Sequence, residues 1–211
     1  ETVEKGYFSL HRVYKVVFKE EDMVKPKGDL VFDLDDYYHH PEKYYPVTEN
    51  YLPYLSVLIN AIFWTPKYPK FVTRKFLEKL YSGTTQPRLQ VIGDITCDIN
   101  GSIECTVRAT DSERPVYVFD PVTGQTLDGF EGYGPVVMAV YNLPAELPLE
   151  SSTYFSQRLK TFIPNLAKAD FEQPFEQIEL DPVVKRAVIA YRGELAPDYK
   201  YLTEYIEGIK S

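Results

Sequence analysis

The sequence predicts an α/β fold built on a mainly parallel sheet, and three observations carry that reading. Short apolar, β-branched segments alternate with amphipathic ones, the pattern of strand–helix–strand units. At 44% hydrophobic over 211 residues, the chain can bury a sizeable core. Three apolar segments end in polar turns, "INAIFWTP", "GDITCDINGS" and "VYNLPAELP". In a parallel sheet such turns gather beyond the carboxyl ends of the strands, where ligands bind.

Taken in order, "VYKVVF" (13–18) reads as a short strand and "DLDDYYHHPEKYY" (33–45) as a helix ending before Pro46. "LSVLINAIFW" (55–64) is a continuous apolar run, expected to be a strand buried on both faces. "TRKFLEKLYSG" (73–83) is an amphipathic helix with Thr73 as N-cap and Gly83 just past its end. "RLQVIGDITC" (88–97), "PVYVFD" (115–120) and "GPVVMAVYNLP" (134–144) are further strands. After Pro148 the character changes. "LESSTYFSQRLKTFIPNLAKA" (149–169) is a long helix that Pro164 kinks or divides, with Ser151, Ser152 and Thr153 capping its start or touching a phosphate. "DPVVKRAVIAYRG" (181–193) is a helix with an Asp cap, Pro at its first position and a terminal Gly. "APDYKYLTEYIEGIKS" closes the chain as a helix. The expected division is therefore 1–148 and 149–211.

The net charge is −8, from 23 basic and 31 acidic residues, so the surface repels nucleic-acid phosphates and anionic lipids as general partners. No apolar run reaches the ~18 residues of a membrane span. Two cysteines, Cys97 and Cys105, make no disulfide scaffold. The expected setting is intracellular and reducing, mitochondrial matrix or cytoplasm. The opening residues lack the apolar core of a secretory signal, and with no initiator Met the chain reads as a piece of something longer.

The segment "VIGDITCDINGSIE" (91–104) carries Asp94 and Asp98. On an extended strand these carboxylates lie about 13 Å apart, too far to share one metal ion or to form a glycosidase pair. Their roles therefore separate. Asp94, within the strand, must be hydrogen-bonded if buried. Asp98, at the exit, either caps the turn or faces a ligand. Asp35/His39 and Asp36/His40 form i,i+4 pairs that suit either a metal or an exposed helix face. The 18 tyrosines read as a packed interface or cleft, given the charge, and His11 as structural or exposed. The cysteines read as plainly buried, since a redox pair wants C-x-x-C spacing.

"HPEKY" (40–44), "LINAIFW" (58–64), "GDITCDINGSIE" (93–104), "NLPAELPLE" (142–150) and "LAPDYKYL" (195–202) together resemble the C-terminal part of the alanine dehydrogenase and transhydrogenase superfamily. Within it they resemble the lysine-ketoglutarate reductase part of bifunctional α-aminoadipic semialdehyde synthases. The resemblance implies a Rossmann-like domain and an oxidoreductase of lysine degradation. L-lysine and 2-oxoglutarate condense to an imine, which NADPH reduces to saccharopine; NADH is not excluded. By position it assigns Asp98 to the catalytic and cofactor site, Asn60, Ala61 and Ile62 to the strand exit beside the cofactor ribose, and Asn142 and Leu143 to the border of the nicotinamide. No metal is implied. The G-x-G-x-x-G turn that would hold the pyrophosphate is absent, since "EGYGPV" (131–136) precedes an apolar strand. The fragment is thus expected to lack the first half of the reductase, to precede a saccharopine dehydrogenase domain, and to be inactive alone. A stand-alone NAD-dependent saccharopine dehydrogenase and a non-catalytic interaction or regulatory module are the alternatives.

Overall fold

A computed structural model of the chain describes residue 9, residues 11–83 and residues 86–207. The opening segment and the last residues of the final expected helix, 208–211, lie outside the described residues. The chain divides after Glu146 into two compact units.

The first unit opens differently from expectation. Residues 13–18 form no strand. Val13, Val16 and Val17 are largely exposed, and this β-branched run forms no ladder with any described strand, the edge strand of the main sheet included. A short helix α1 (Glu20–Met23) leads into strand β1 (Val24–Pro26), which pairs antiparallel with β2 (Tyr44–Pro46). Between them, helix α2 (Leu34–His39) starts at Asp33, whose side chain accepts from the Asp36 amide at 2.7 Å. The helix is shorter than predicted. Pro41 disfavours helical geometry at His40, and a 3-10 turn, Pro41–Lys43, follows. Tyr37, Tyr44 and Phe71 are buried here with Val24, and Phe32 and Tyr68 pack against them. The tyrosine-rich stretch is thus a packed aromatic cluster.

The main sheet has the strand order β3-β4-β7-β5-β6: β3 (Val57–Asn60), β4 (Val91–Asp94), β5 (Val116–Phe119), β6 (Thr126–Asp128) and β7 (Val136–Met138). β3, β4 and β7 are parallel, and β5 and β6 extend the sheet as an antiparallel hairpin beside β7. The apolar run 55–64 supplies only the four residues of β3, at the sheet edge. Val57 and Ile59 are 52% and 59% exposed, so burial on both faces does not hold. Helix α3 (Arg74–Tyr81) forms as expected, with the Thr73 hydroxyl accepting from the Phe76 amide at 3.1 Å. It buries Leu77 and Tyr81 in a core with Leu89, Ile92, Phe119 and Val137. Burial of each such side chain contributes roughly 1.5–3 kcal/mol. Gly134 (φ 137°) enters β7 so close to the Phe119 carbonyl that a Cβ there would overlap it. That glycine serves chain packing.

In the second unit, α4 (Pro148–Leu159) and α5 (Ile163–Lys168) replace the long helix. They are divided near Pro164, which sits in the first turn of α5, where its missing N–H costs nothing. Pro148 starts α4, so Ser151, Ser152 and Thr153 lie inside the helix and are not its caps. Helix α6 (Pro182–Ala187) has the expected Asp181 cap, accepting from the Val183 amide at 2.8 Å. It stops early. β8 (Ala190–Tyr191) and β9 (Glu194–Leu195) form a hairpin around Arg192 (φ 51°) and Gly193 (φ 89°), the two left-handed positions of a type I′ turn. The terminal Gly is thus a hairpin residue. A 3-10 stretch, Pro197–Leu202, leads into α7 (Thr203–Glu207). No helix among the described residues is long and apolar enough to cross a membrane.

Candidate functional site at the carboxyl edge of the sheet

Because β3, β4 and β7 run parallel, their carboxyl ends open on one edge. Register sets the levels: Asn60 faces Asp94, and Gly93 faces Met138. Asn60, Ala61 and Ile62 follow from β3, Asp98 from β4, and Asn142 and Leu143 from β7. Asn60, Ala61 and Ile62 line a cavity of about 640 Å³ that runs along β3. The Asn142 carbonyl accepts from the Ala145 amide at 3.0 Å and opens the 3-10 turn Leu143–Glu146. No hydrogen bond joins Asp98, Asn142 or Leu143 to Asn60 among the described residues; they share the strand edge only.

Asp94 is 1% exposed and its carboxylate is fully engaged. Oδ1 accepts from Asn60 Nδ2 at 2.8 Å and Thr96 Oγ1 at 2.6 Å, and Oδ2 from Thr106 Oγ1 at 2.6 Å. Asn60 Nδ2 also reaches Ser102 Oγ at 3.0 Å. A buried carboxylate without donors costs several kcal/mol, and these neighbours remove that cost. The strand ends at Asp94, so the extended-chain distance to Asp98 is the wrong ruler. The separation of roles rests instead on these partners. No group of three or more metal-capable side chains occurs among the described residues.

The loop after β4 turns tightly around Asp98. Cys97 (φ 55°) and Asn100 (φ 52°) are left-handed, a strained state for Cys97 and one that asparagine tolerates better than most residues. The Gly101 amide donates to the Asp98 carbonyl at 2.9 Å and the Asn100 amide to the Thr106 carbonyl at 2.8 Å. Glu104 clamps the loop to the start of α3, accepting from Lys70 Nζ at 2.7 Å and the Arg74 amide at 2.8 Å. Arg74 Nη2 donates to Asn100 Oδ1 at 2.7 Å. Burial raises the Glu104 pKa, but the Lys70 and Arg74 contacts outweigh it and the net shift is downward. The half-buried Asp98 carboxylate makes no hydrogen bond among the described residues, so it is available to a donor from a ligand. Burial, then the charges of Asp94 and Asp98, pushes the Cys97 thiol up, and burial pushes the enclosed Cys105 thiol up further. Neither is an activated thiolate.

Ser102, Thr106, Lys70, Arg74 and Glu104 escaped the sequence reading. A buried Asp in β4 signalled that donors must exist, but not which. The i,i+4 pairs resolve as a helix face. His39 Nδ1 lies 2.8 Å from the Asp35 carbonyl, while Asp36 pairs with Lys43 Nζ at 2.5 Å and accepts from the Tyr44 hydroxyl at 3.1 Å. His11 is exposed.

The sequence profile of the alanine dehydrogenase/PNT C-terminal domain family matches residues 46–198. The chain belongs to this family. Within this alanine dehydrogenase/PNT domain, the resemblance read from the residues is borne out by named relatives. The alpha-aminoadipic semialdehyde synthase of Arabidopsis thaliana is 39% identical over 197 residues, 92% of this chain and 18% of that protein. The mitochondrial alpha-aminoadipic semialdehyde synthase of Bos taurus is 33% identical over 211 residues, 94% of this chain and 23% of that protein. That of Rattus norvegicus is 32% identical, with the same coverage. The chain thus spans about a fifth of the length of these relatives.

Proposed function

We propose that this chain is the second half of the dinucleotide-binding part of a lysine-ketoglutarate reductase, which condenses L-lysine with 2-oxoglutarate and reduces the imine with NADPH to saccharopine. The observation that carries the reading is the unengaged Asp98 carboxylate, held in a clamped, strained loop at the carboxyl edge of three parallel strands. A carboxylate acceptor there suits the hydroxyls of the nicotinamide ribose. This acceptor thus fits the nicotinamide half of the cofactor. It does not fit the pyrophosphate, because no Gly-rich turn leads into a helix among the described residues. The outer edge of β3 pairs with no strand among the described residues, in keeping with an upstream segment that brings that turn. In this reading residues 149–211 return toward the substrate domain, and a saccharopine dehydrogenase domain follows.

When bound, NADPH supplies the hydride. The chain's own part is placement. With the cofactor bound, Asp98 would accept from the ribose, Asn60, Ala61 and Ile62 would border it from β3, and Asn142 and Leu143 would border the nicotinamide from β7. The names of the mammalian relatives support a mitochondrial setting. The test is Asp98→Ala in the full-length enzyme. Lysine- and 2-oxoglutarate-dependent NADPH oxidation falls at least ~10-fold, about 1.4 kcal/mol. An unchanged rate removes Asp98 from the site. The isolated 211-residue chain binds NADPH weakly or not at all, and micromolar binding in a titration would contradict the half-site reading.

A further inference from the structure

We propose that Asp94 is a positioning residue that fixes Asn60 so that it offers the cleft only its carbonyl oxygen. The ligand group held there is then a hydrogen-bond donor. The inference rests on the cofactor reading above and deepens it: the donor is either the carboxamide N–H or a ribose hydroxyl of the nicotinamide half.

An asparagine amide has two nearly isosteric ends and in a neutral setting can present either. Here it has no choice. Asn60 Nδ2 lies 2.8 Å from Asp94 Oδ1, and a carboxylate only accepts, so the nitrogen must face it. Nδ2 is also 3.0 Å from Ser102 Oγ and 3.3 Å from Thr96 Oγ1, which occupies both its protons. Asp94 is held in turn by the hydroxyls of Thr96 and Thr106, each at 2.6 Å. Four side chains from β4 and the following loop thereby lock one amide at the end of β3, and Asn60 is itself only 6% exposed. Its Oδ1 takes no hydrogen bond among the described residues. Asn60 lines the cavity along β3, where the wall is otherwise largely apolar, with Leu58, Ile62 and Phe71 among its residues. A fixed acceptor in such a wall discriminates strongly, because a ligand without a donor leaves it unpaired.

The experiment uses the full-length enzyme and fluorescence titration with three reduced dinucleotides. These are NADPH, its 3-acetylpyridine analogue, in which a methyl replaces the amide nitrogen, and an analogue lacking the 2′-hydroxyl of the nicotinamide ribose. The wild-type enzyme binds at least one analogue about fivefold or more weakly than NADPH, and the preference that Asn60→Ala removes identifies the donor, because a ribose hydroxyl held by Asp98 keeps its preference in that variant. In Asn60→Ala and in Asp94→Asn that preference shrinks below about twofold, while Thr106→Ser, which keeps the hydroxyl, retains it. A purely structural role for Asp94 lowers stability and leaves the preference intact. If Asp94→Asn does not fold, Asn60→Ala carries the test, because it leaves both hydroxyl donors on Asp94. If every preference survives in the folded variants, or none is present in the wild type, the inference is overturned and the cofactor reading stands. A wild-type enzyme that does not bind NADPH overturns both.

Discussion

Gly101→Ala tests whether the turn around Asp98 is held as tightly as its geometry implies. A Cβ built on Gly101 lies 2.5 Å from Asp98 Cβ and 2.9 Å from the Asp98 carbonyl oxygen. Carbon atoms pack at about 3.5–4.0 Å, so one side must give by roughly 1 Å. Asp98 Cβ is anchored directly to the backbone, so rotating a side chain does not relieve the clash. The turn has to open, and with it goes the hydrogen bond from the Gly101 amide to the Asp98 carbonyl. Overpacking of this kind costs about 1–3 kcal/mol and the lost hydrogen bond about 0.5–1.5 kcal/mol. The expected loss is therefore about 1.5–4.5 kcal/mol, read as a lower urea midpoint. In the full-length enzyme, a carboxylate displaced by about 1 Å lowers turnover by up to ~100-fold. Leu89→Ala is the control. It deletes a fully buried side chain near the amino end of β4, at a comparable cost of about 2–5 kcal/mol, without touching the loop. Equal activity loss in the two variants would show that stability, and not the placement of Asp98, limits function. Unchanged stability in Gly101→Ala would refute the packing argument itself.

Glu104 titrates below an ordinary glutamate, because its contacts to Lys70 and Arg74 outweigh burial. A depressed folded pKa contributes stability above the unfolded value and loses it as pH falls through the folded one. The gap in urea midpoint between wild type and Glu104→Gln is thus widest near neutral pH and closes below about pH 4; a gap that persists in acid excludes the ion pair as its source. Asp181→Ala removes the cap on the Val183 amide and costs about 0.5–2 kcal/mol, seen as faster hydrogen exchange through α6, and unaltered exchange would disprove the cap. Cys105, fully enclosed, stays unreactive to a thiol reagent until the chain unfolds, and rapid labelling of both cysteines in the native state would contradict its burial.

Legibility followed the range of the interactions. Helix α3 was readable because its cap, Thr73, is local, and so was α6 at its Asp181–Pro182 start. The strand at 91–94 was readable from its apolar run. Failures came where a partner decides the outcome. Residues 13–18 have strand composition but pair with no described strand, and the run at 55–64 reads as fully buried although β3 lies at an edge. Gly193 is a stop signal for a helix and equally a turn signal for a hairpin, and the left-handed Arg192 beside it decided the matter. At the site, the need of Asp94 for donors is readable, yet Thr106 returns to Asp94, and Ser102 to Asn60, only after the chain has turned through Gly101. The resemblance placed Asn60 at the cleft, while the lock on its amide is visible only in three dimensions.

The strand order has a consequence for how the chain is made. β7 is the last strand of the main sheet to leave the ribosome, yet it lies between β4 and β5. Until residue 138 has emerged, β3–β4 and β5–β6 are separate pairs, and two-stranded pieces are marginal in water. Cooperative formation of this sheet must therefore await its keystone, and the nascent chain passes through a stage in which the inner edges of β4 and β5 are both open to other chains. A stop codon placed just before Val136 would leave one chain with two unjoined strand pairs, the parallel β3–β4 and the β5–β6 hairpin, instead of a slightly shortened domain.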